Sequence, residues 1–363
     1  MKKILWLILV AIFGATGWFA WAVLTPVDPS LDKSAGQTFV LLHPGYSIRR
    51  IAAELKRTGV IRSEEAFVLW HYLHHGRSLK AGEYLFDKPA NIIEIQKRLR
   101  RGDVYFHTVV VPEGFNMFDI ARAIEAAGLG PAEDFVKVAQ NETGLISGIA
   151  PGARSLEGYL FPDTYQFTRM MTMRDMAASM VCQFHIVAQQ IGLIQAPGGD
   201  ANSKQICDSI RALHEPNDPK ITPGDTFAVE RTVIMASIVE KETAVPEERP
   251  LVASVYYNRL AKNIALDADP SIIYAELLAG TYQGALHHAD MQFVSAYNTY
   301  RHPGLPPGPI GNPGRIALEA AMHPAQSDYY YFVADAQGHH RFASSMEEHN
   351  KNVAAYRKAM RGK

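Results

Sequence analysis

One stretch limits every fold open to this chain: residues 4 to 24, ILWLILVAIFGATGWFAWAVL, carry no charged side chain. About 20 consecutive apolar residues are what a helix needs to cross a bilayer, so the stretch predicts a transmembrane anchor. Lys2 and Lys3 precede it, and no Lys or Arg follows until Lys33. Cytoplasmic flanks collect cations, which leaves residues 1–3 as a short cytoplasmic tail and everything after the anchor on the far side. Trp18 and Trp21 then fall near the outer interface. A cleaved signal peptide is the alternative, because Ala20 to Ala22 read AWA, a small-x-small pattern. The length of the apolar run, beyond the ~7 to 15 residues of a signal core, favours retention.

Beyond the anchor the chain would lie in an oxidising space, where Cys182 and Cys207 could form one disulfide. Nothing in their spacing says that they meet, and they do not form a metal motif. The 36 Lys+Arg against 37 Asp+Glu argue against a nucleic-acid surface. At 363 residues more than one folded unit is expected. Residues 25–36, TPVDPSLDKSAG, read as a linker. A first module is expected over residues 37–108 and a larger region over 109–363, whose chemistry falls within about 223–345. The fold class these patterns predict is α+β.

Two segments share one plan. FVLLHPGYSIRRIAAELKRTGVI gives an apolar strand, a Pro-Gly turn, Ser47 as a helix N-cap and Gly59 as a stop. VVVPEGFNMFDIARAIEAAGL repeats it, with Gly114 matching Gly45, Asn116 matching Ser47, and Gly128 matching Gly59. An internal duplication of a strand-turn-helix unit follows. The first copy resembles a LysM-like module, a small fold associated with glycan binding; a plain scaffold fits the pattern equally. His71, His74 and His75 in HYLHHG share a helical face, read as solvated rather than as a metal site. Further on, SLEGYLFPDTYQF, residues 155–167, sets aromatics among Glu157 and Asp163, as a sugar platform or a buried strand would. Loops are expected at 196–204 and 215–225.

The segment MASIVEKETAVPEERP, starting at Met235, runs from apolar residues straight into three charges. On a helix turning about 100° per residue, Ile234, Met235, Ile238 and Val239 span an arc of roughly 140°. Glu242 falls near its middle, while Glu240 points almost the opposite way. A carboxyl on an apolar face must be paired or hold its proton, and a carboxylic acid still protonated near neutral pH is what general-acid cleavage of a glycosidic bond requires. Two other readings stay open: a helix frayed at Glu240 with all three charges wet, and a Ser-Lys hydrolase pairing Ser237 with Lys241 at i, i+4.

Downstream, polar motifs thicken: VYYNRL with Asn258, DADPSIIY, AYNTY with Tyr297, Asn298 and Thr299, GLPPGPI, HPA and YYYFVAD. The proline-rich stretch predicts a stiff arch, where amides and rings suit hydroxyls and N-acetyl groups. In this order, and with MASIVEKETAVPEER before them, these motifs resemble the YceG-like family, the membrane-anchored endolytic murein transglycosylases. The resemblance covers essentially the whole chain. It implies that Glu242, the second acid of EKE, is catalytic, and that Glu157, Asn258, Tyr297, Asn298 and Thr299 are candidate substrate-binding residues. HHR, from His339, departs from the pattern and is expected as a loop.

The reaction implied is cleavage of the β-1,4 bond between N-acetylmuramic acid and N-acetylglucosamine within a glycan strand, leaving a 1,6-anhydro end and stopping strand growth. The resemblance implies no cofactor and no metal. Its partners would be peptidoglycan strands, the inner membrane and peptidoglycan synthases, and no nucleic acid. The catalytic region would be periplasmic. A glycan-binding scaffold without activity is the competing function class. Most glycosidases use two carboxylates, so the lack of an evident second one fits the anhydro route.

Overall fold

The computed structural model describes residues 2–28, 37–74, 78–195, 207, 208, 210 and 226–361. Within these, helices combine with three two-stranded sheets, and no doubly wound sheet is present among the described residues. The chain divides into two compact units, Met1–His107 with Gln166–Met170, and Thr108–Tyr165 with Met171–Lys363.

In the first unit α1 (Lys2–Leu24) is the apolar helix. Then come β1 (Thr38–Leu42), α2 (Ile48–Arg57), α3 (Glu64–Leu73), β2 (Gly82–Phe86) and α4 (Ile92–Arg101). β1 and β2 pair antiparallel, with Val40 opposite Tyr84. Ala22 and Val23, at the end of α1, join the same core as Val40, Leu55, Phe67 and Leu99. Residues just past α1 are tied down as well: Val27 and Ala90 exchange backbone bonds, and Arg62 donates to the carbonyls of Thr25 and Pro26. The expected linker is therefore anchored over its first residues, and its remainder, 29–36, lies outside the described residues.

His71 is buried and not solvated as expected, since the helix face that carries it packs inward; burial lowers its pKa. His74 is exposed and stacks on Trp70, while His75 lies outside the described residues.

The expected duplication appears as a repeated order of elements. β3 (His107–Val110), α5 (Met117–Ala126), α6 (Ala132–Asn141) and β4 (Thr164–Phe167) repeat the order of β1, α2, α3 and β2. Ser47 and Asn116 both cap their helices by accepting from the third residue on. Gly45 and Gly114 sit at φ 83° and 78°, Gly59 and Gly128 at 79° and 71°, values that favour glycine. The side chains of Tyr159, Phe161, Tyr165 and Phe167 are buried, so the aromatics of residues 155–167 build core.

The second unit continues with α7 (Met173–Gln190), α8 (Thr226–Glu242), α9 (Arg249–Ala261), α10 (Asp269–Ala279), α11 (Arg315–Met322), β5 (Tyr331–Ala334), β6 (His340–Ala343) and α12 (Met346–Arg361). A disulfide joins Cys182 on α7 to Cys207, with Cα atoms 5.1 Å apart. Residues 293–314 form no helix or strand, as the proline-rich arch requires. His340 opens strand β6 rather than sitting in a loop, because its ring meets Glu248 at 2.7 Å while β6 pairs antiparallel with β5. The loops expected at 196–204 and 215–225 lie outside the described residues.

Helix α8 packs against α9, α10 and α11, and from Met235 to Glu240 every residue is buried. Gly158 shows how closely the loops around it fit. Its φ is +89°, and a Cβ there would sit 2.4 Å from Pro309 and 2.8 Å from Val233. Gly158→Ala combines a disfavoured backbone with overpacking, and is expected to cost about 2–5 kcal/mol of stability in chemical denaturation.

Candidate active site

Glu242 is the last residue of α8, a helix that runs unbroken through all three charges of EKE. The frayed, wet reading is thereby overturned: Glu240 is buried, and Lys241 donates to the Gly114 carbonyl at 3.2 Å. The helical angles sent Glu240 to solvent because they assume one wet face, and this helix has none there. Instead Glu240 accepts from Arg249 at 2.6 Å and from the Gly314 amide at 2.9 Å. Arg249 also reaches Glu113 at 3.4 Å. Burial raises the pKa of Glu240, against the backbone bond and the Arg249 charge. Two neighbours of Glu242 in sequence are thus fastened to the start of a following helix and to two loops, which fixes the last turn that carries it.

Glu242 reaches solvent in part, yet its Oε2 is buried with no hydrogen-bond partner among the described residues. Burial pushes its pKa up to about 7, helped by the Asp269 charge and opposed by the Tyr256 phenol and Arg259. Tyr256 and Arg259 come from α9, which follows α8 after a short turn, and Asp269 starts α10. Arg259 bonds the carbonyls of Ala265 and Leu266 and the carboxylate of Asp267. That clamp holds Asp267 at φ 52°, a strained value for a residue other than glycine. The result is a carboxyl able to give and take a proton near neutral pH.

The other residues singled out from the sequence are more deeply set. Glu157 is 1% exposed, and both its oxygens are bonded, to the Met117 amide at 3.0 Å and to Asn312 at 2.8 Å. Burial nonetheless pushes it up to about 7, although the Tyr274 phenol also bonds to it. Asn298 is fully buried: its amide donates to the carbonyls of Met291 and Phe293 and its oxygen accepts from Tyr300. The Thr299 hydroxyl accepts from the Ala268 amide and meets Ser271 at 2.9 Å. Asn258 donates to the carbonyls of Ser327 and Tyr329. Tyr297 is half-buried, and its ring lies 5.2 Å from that of Tyr274.

These polar atoms shape loops: Asn298 closes its own turn, and Thr299 fastens that turn to the start of α10, where Asp269 stands. The Ser-Lys pairing finds its atoms engaged elsewhere. Ser237 donates to the Ile234 carbonyl and accepts from the Ile310 amide, and Lys241 holds Gly114. Sequence reasoning did not single out Tyr256, Asp269 or Tyr300 individually, though the quoted motifs contain them.

Glu242 is thus a carboxyl of raised pKa at the end of a helix whose preceding residues are buried, with polar loops gathered around it. The chain belongs to the YceG-like family, whose model matches residues 40–355. An endolytic murein transglycosylase of Bacillus subtilis is 29% identical over 360 residues, 95% of this chain and 91% of that protein. One of Streptococcus pneumoniae D39 is 27% identical over 96% of this chain, which spans 64% of the pneumococcal protein. A crystal structure of a YceG-like protein from Listeria monocytogenes superposes with a TM-score of 0.52 at 29% identity, covering 87% of this chain and 99% of that one.

Two predictions follow from the burial of these acids. Glu240→Gln removes the closer charge from the buried Arg249 and leaves it only the longer contact with the exposed Glu113, so it should lose about 2–4 kcal/mol of stability. It should also lower activity, against the small effect that its outward angle implied; denaturation curves and turnover measured on the same sample test both. Glu242 has a folded pKa of about 7 against an ordinary 4.5, so the unfolded chain releases this proton first. The stability linked to the group is present below pH 4.5 and lost as pH rises through 7. Glu242→Gln should therefore flatten the melting temperature against pH and stabilise the protein at pH 8 by about 1–3 kcal/mol.

Proposed function

We propose that this chain is a membrane-anchored endolytic murein transglycosylase, cutting the β-1,4 bond between N-acetylmuramic acid and N-acetylglucosamine inside glycan strands. The observation that carries the reading is Glu242, a carboxyl poised near pH 7 whose buried Oε2 has no partner among the described residues. The names of the Bacillus and pneumococcal relatives support the substrate class. In the first half of the reaction the Glu242 carboxyl gives its proton to the bridging oxygen as the bond from the muramic C1 to that oxygen breaks. In the second half the carboxylate takes the proton of the same sugar's C6 hydroxyl while its oxygen bonds to C1. Glu242 returns to its starting state, no water enters, and the new end is a 1,6-anhydro sugar.

The 23-residue α1, with Lys2 and Lys3 at its start, supports a single inner-membrane span with a cytoplasmic N-terminus and a periplasmic catalytic unit. The disulfide fits that compartment. Cutting near the membrane would terminate strands as they grow, beside the synthases that extend them. The first module would bind glycan, as its LysM-like plan suggests.

Glu242→Gln keeps shape but not the transferable proton, and general acid-base help is worth about 10²- to 10⁴-fold. Turnover on purified glycan strands should fall by at least that, and wild-type products should be one water lighter than hydrolytic ones by mass spectrometry. Strands bound but uncut by the wild-type protein would instead establish a scaffold, and products of full hydrolytic mass would exclude the anhydro route.

A further inference from the structure

The mechanism above leaves without a task one exposed carboxylate, whose charge acts on Glu242 from the start of a helix packed against α8. Asp269 is the first residue of α10, where the helix N-terminus favours an anion. Its Oδ1 accepts from the Tyr300 phenol at 2.6 Å, and its Oδ2 accepts nothing from the described residues. Tyr300 comes from the arch, and the turn that carries it is fastened to the start of α10 by Thr299, which bonds the Ala268 amide and meets Ser271. The carboxylate is therefore held by its helix, by a phenol and by the loop behind the phenol. Asp269 and Tyr300 are both exposed, whereas the Oε2 of Glu242 is buried. Charges acting on Glu242 come from Asp269 and Arg259, with Tyr256 bonding to it and Tyr300 sensing its charge in return. Arg259 is committed to the carbonyls of Ala265, Leu266 and Tyr330 and to Asp267. Asp269 is thus left as the negative charge open to a bound sugar.

We propose that Asp269, oriented by the Tyr300 phenol, is the second carboxylate of this site: it stabilises from the surface the positive charge that develops at C1 when Glu242 protonates the departing oxygen. The inference rests on the transglycosylase reading and adds to it. Asp269 forms no bond and moves no proton, so the atoms of the reaction balance as written. The two carboxyls differ in their surroundings: the Oε2 of Glu242 is buried without a partner among the described residues, whereas Asp269 is exposed at a helix N-terminus with a phenol bonded to it. The apparent absence of a second carboxylate in the sequence is then a matter of recognition, since Asp269 stands inside DADPSIIY.

The test is kinetic, on the full-length protein in detergent with purified glycan strands. Asp269→Asn keeps an acceptor for Tyr300 and should leave the melting temperature and KM near wild type. It should lower kcat by about 10- to 10²-fold, a typical scale for a preorganised electrostatic contact. Removing the negative charge should also move the alkaline limb of the pH-rate profile to lower pH, which a purely structural role would not do. Tyr300→Phe should give a smaller loss in kcat, because the carboxylate remains but is no longer oriented. An unchanged kcat and pH profile in a folded Asp269→Asn protein would overturn the role of Asp269 and leave the assignment of Glu242 standing. Wild-type protein that cuts no strand would overturn the transglycosylase reading, and the role of Asp269 with it.

Discussion

The buried contact of Glu240 with Arg249 and the Gly314 amide is the constraint on which the site depends. A helix terminus is the least constrained part of a helix, because its last carbonyls lack partners and its final turn frays. The carboxyl proposed here as the general acid stands at such a terminus and must be held by something other than the helix. Here the residue two places before it is clamped by α9 and by the loop entering α11, and the residue next to it is tied to Gly114. Glu242 can then keep a buried, unpartnered oxygen, which a loose helix end would turn toward water.

That arrangement sets stability against function. Glu157 and Glu242 both hold protons far above the ordinary carboxyl range, and each destabilises the folded chain as the solution becomes neutral. For Glu157 the compensation is visible: two hydrogen-bonded oxygens tie the start of α5 to Asn312, which itself accepts from the amides of Gly158 and Leu160. For Glu242 the described residues supply none to Oε2, and unrelieved strain of this sort is where chemistry is expected.

The duplicated strand-helix-helix-strand order has been put to two uses. In the first unit it packs around the end of α1, with Ala22 and Val23 in its core. In the second, the turn before α5 is the one that holds Lys241 and meets Asn312. A positive-φ glycine opens both turns, Gly45 in open space and Gly114 against Lys241 and Glu240, so the same backbone device serves as a plain turn in one copy and as part of a lock in the other.

What the sequence alone determined is what local rules can carry. Residues 4 to 24 make a helix long and apolar enough to cross a bilayer because no charged side chain interrupts them; Ser47 and Asn116 cap because their side chains reach the free amides of the first turn; Gly59 and Gly128 stop helices because glycine tolerates left-handed backbone. Glu242 was legible because helical angle places it among aliphatic side chains. Tertiary structure decided what angle cannot express. Glu240 looked solvated, and partners 9 and 74 residues away in the chain bury it. Asn298 and Thr299 looked like sugar ligands, and their polar atoms are taken by loops that only folding brings near. The joining of Cys182 to Cys207, and the packing of α10, which Asp269 begins, against α8, which Glu242 ends, likewise depend on contacts between segments. Periodicity reports the direction in which a side chain leaves its own helix, and a partner contributed by a distant segment leaves no trace in that direction.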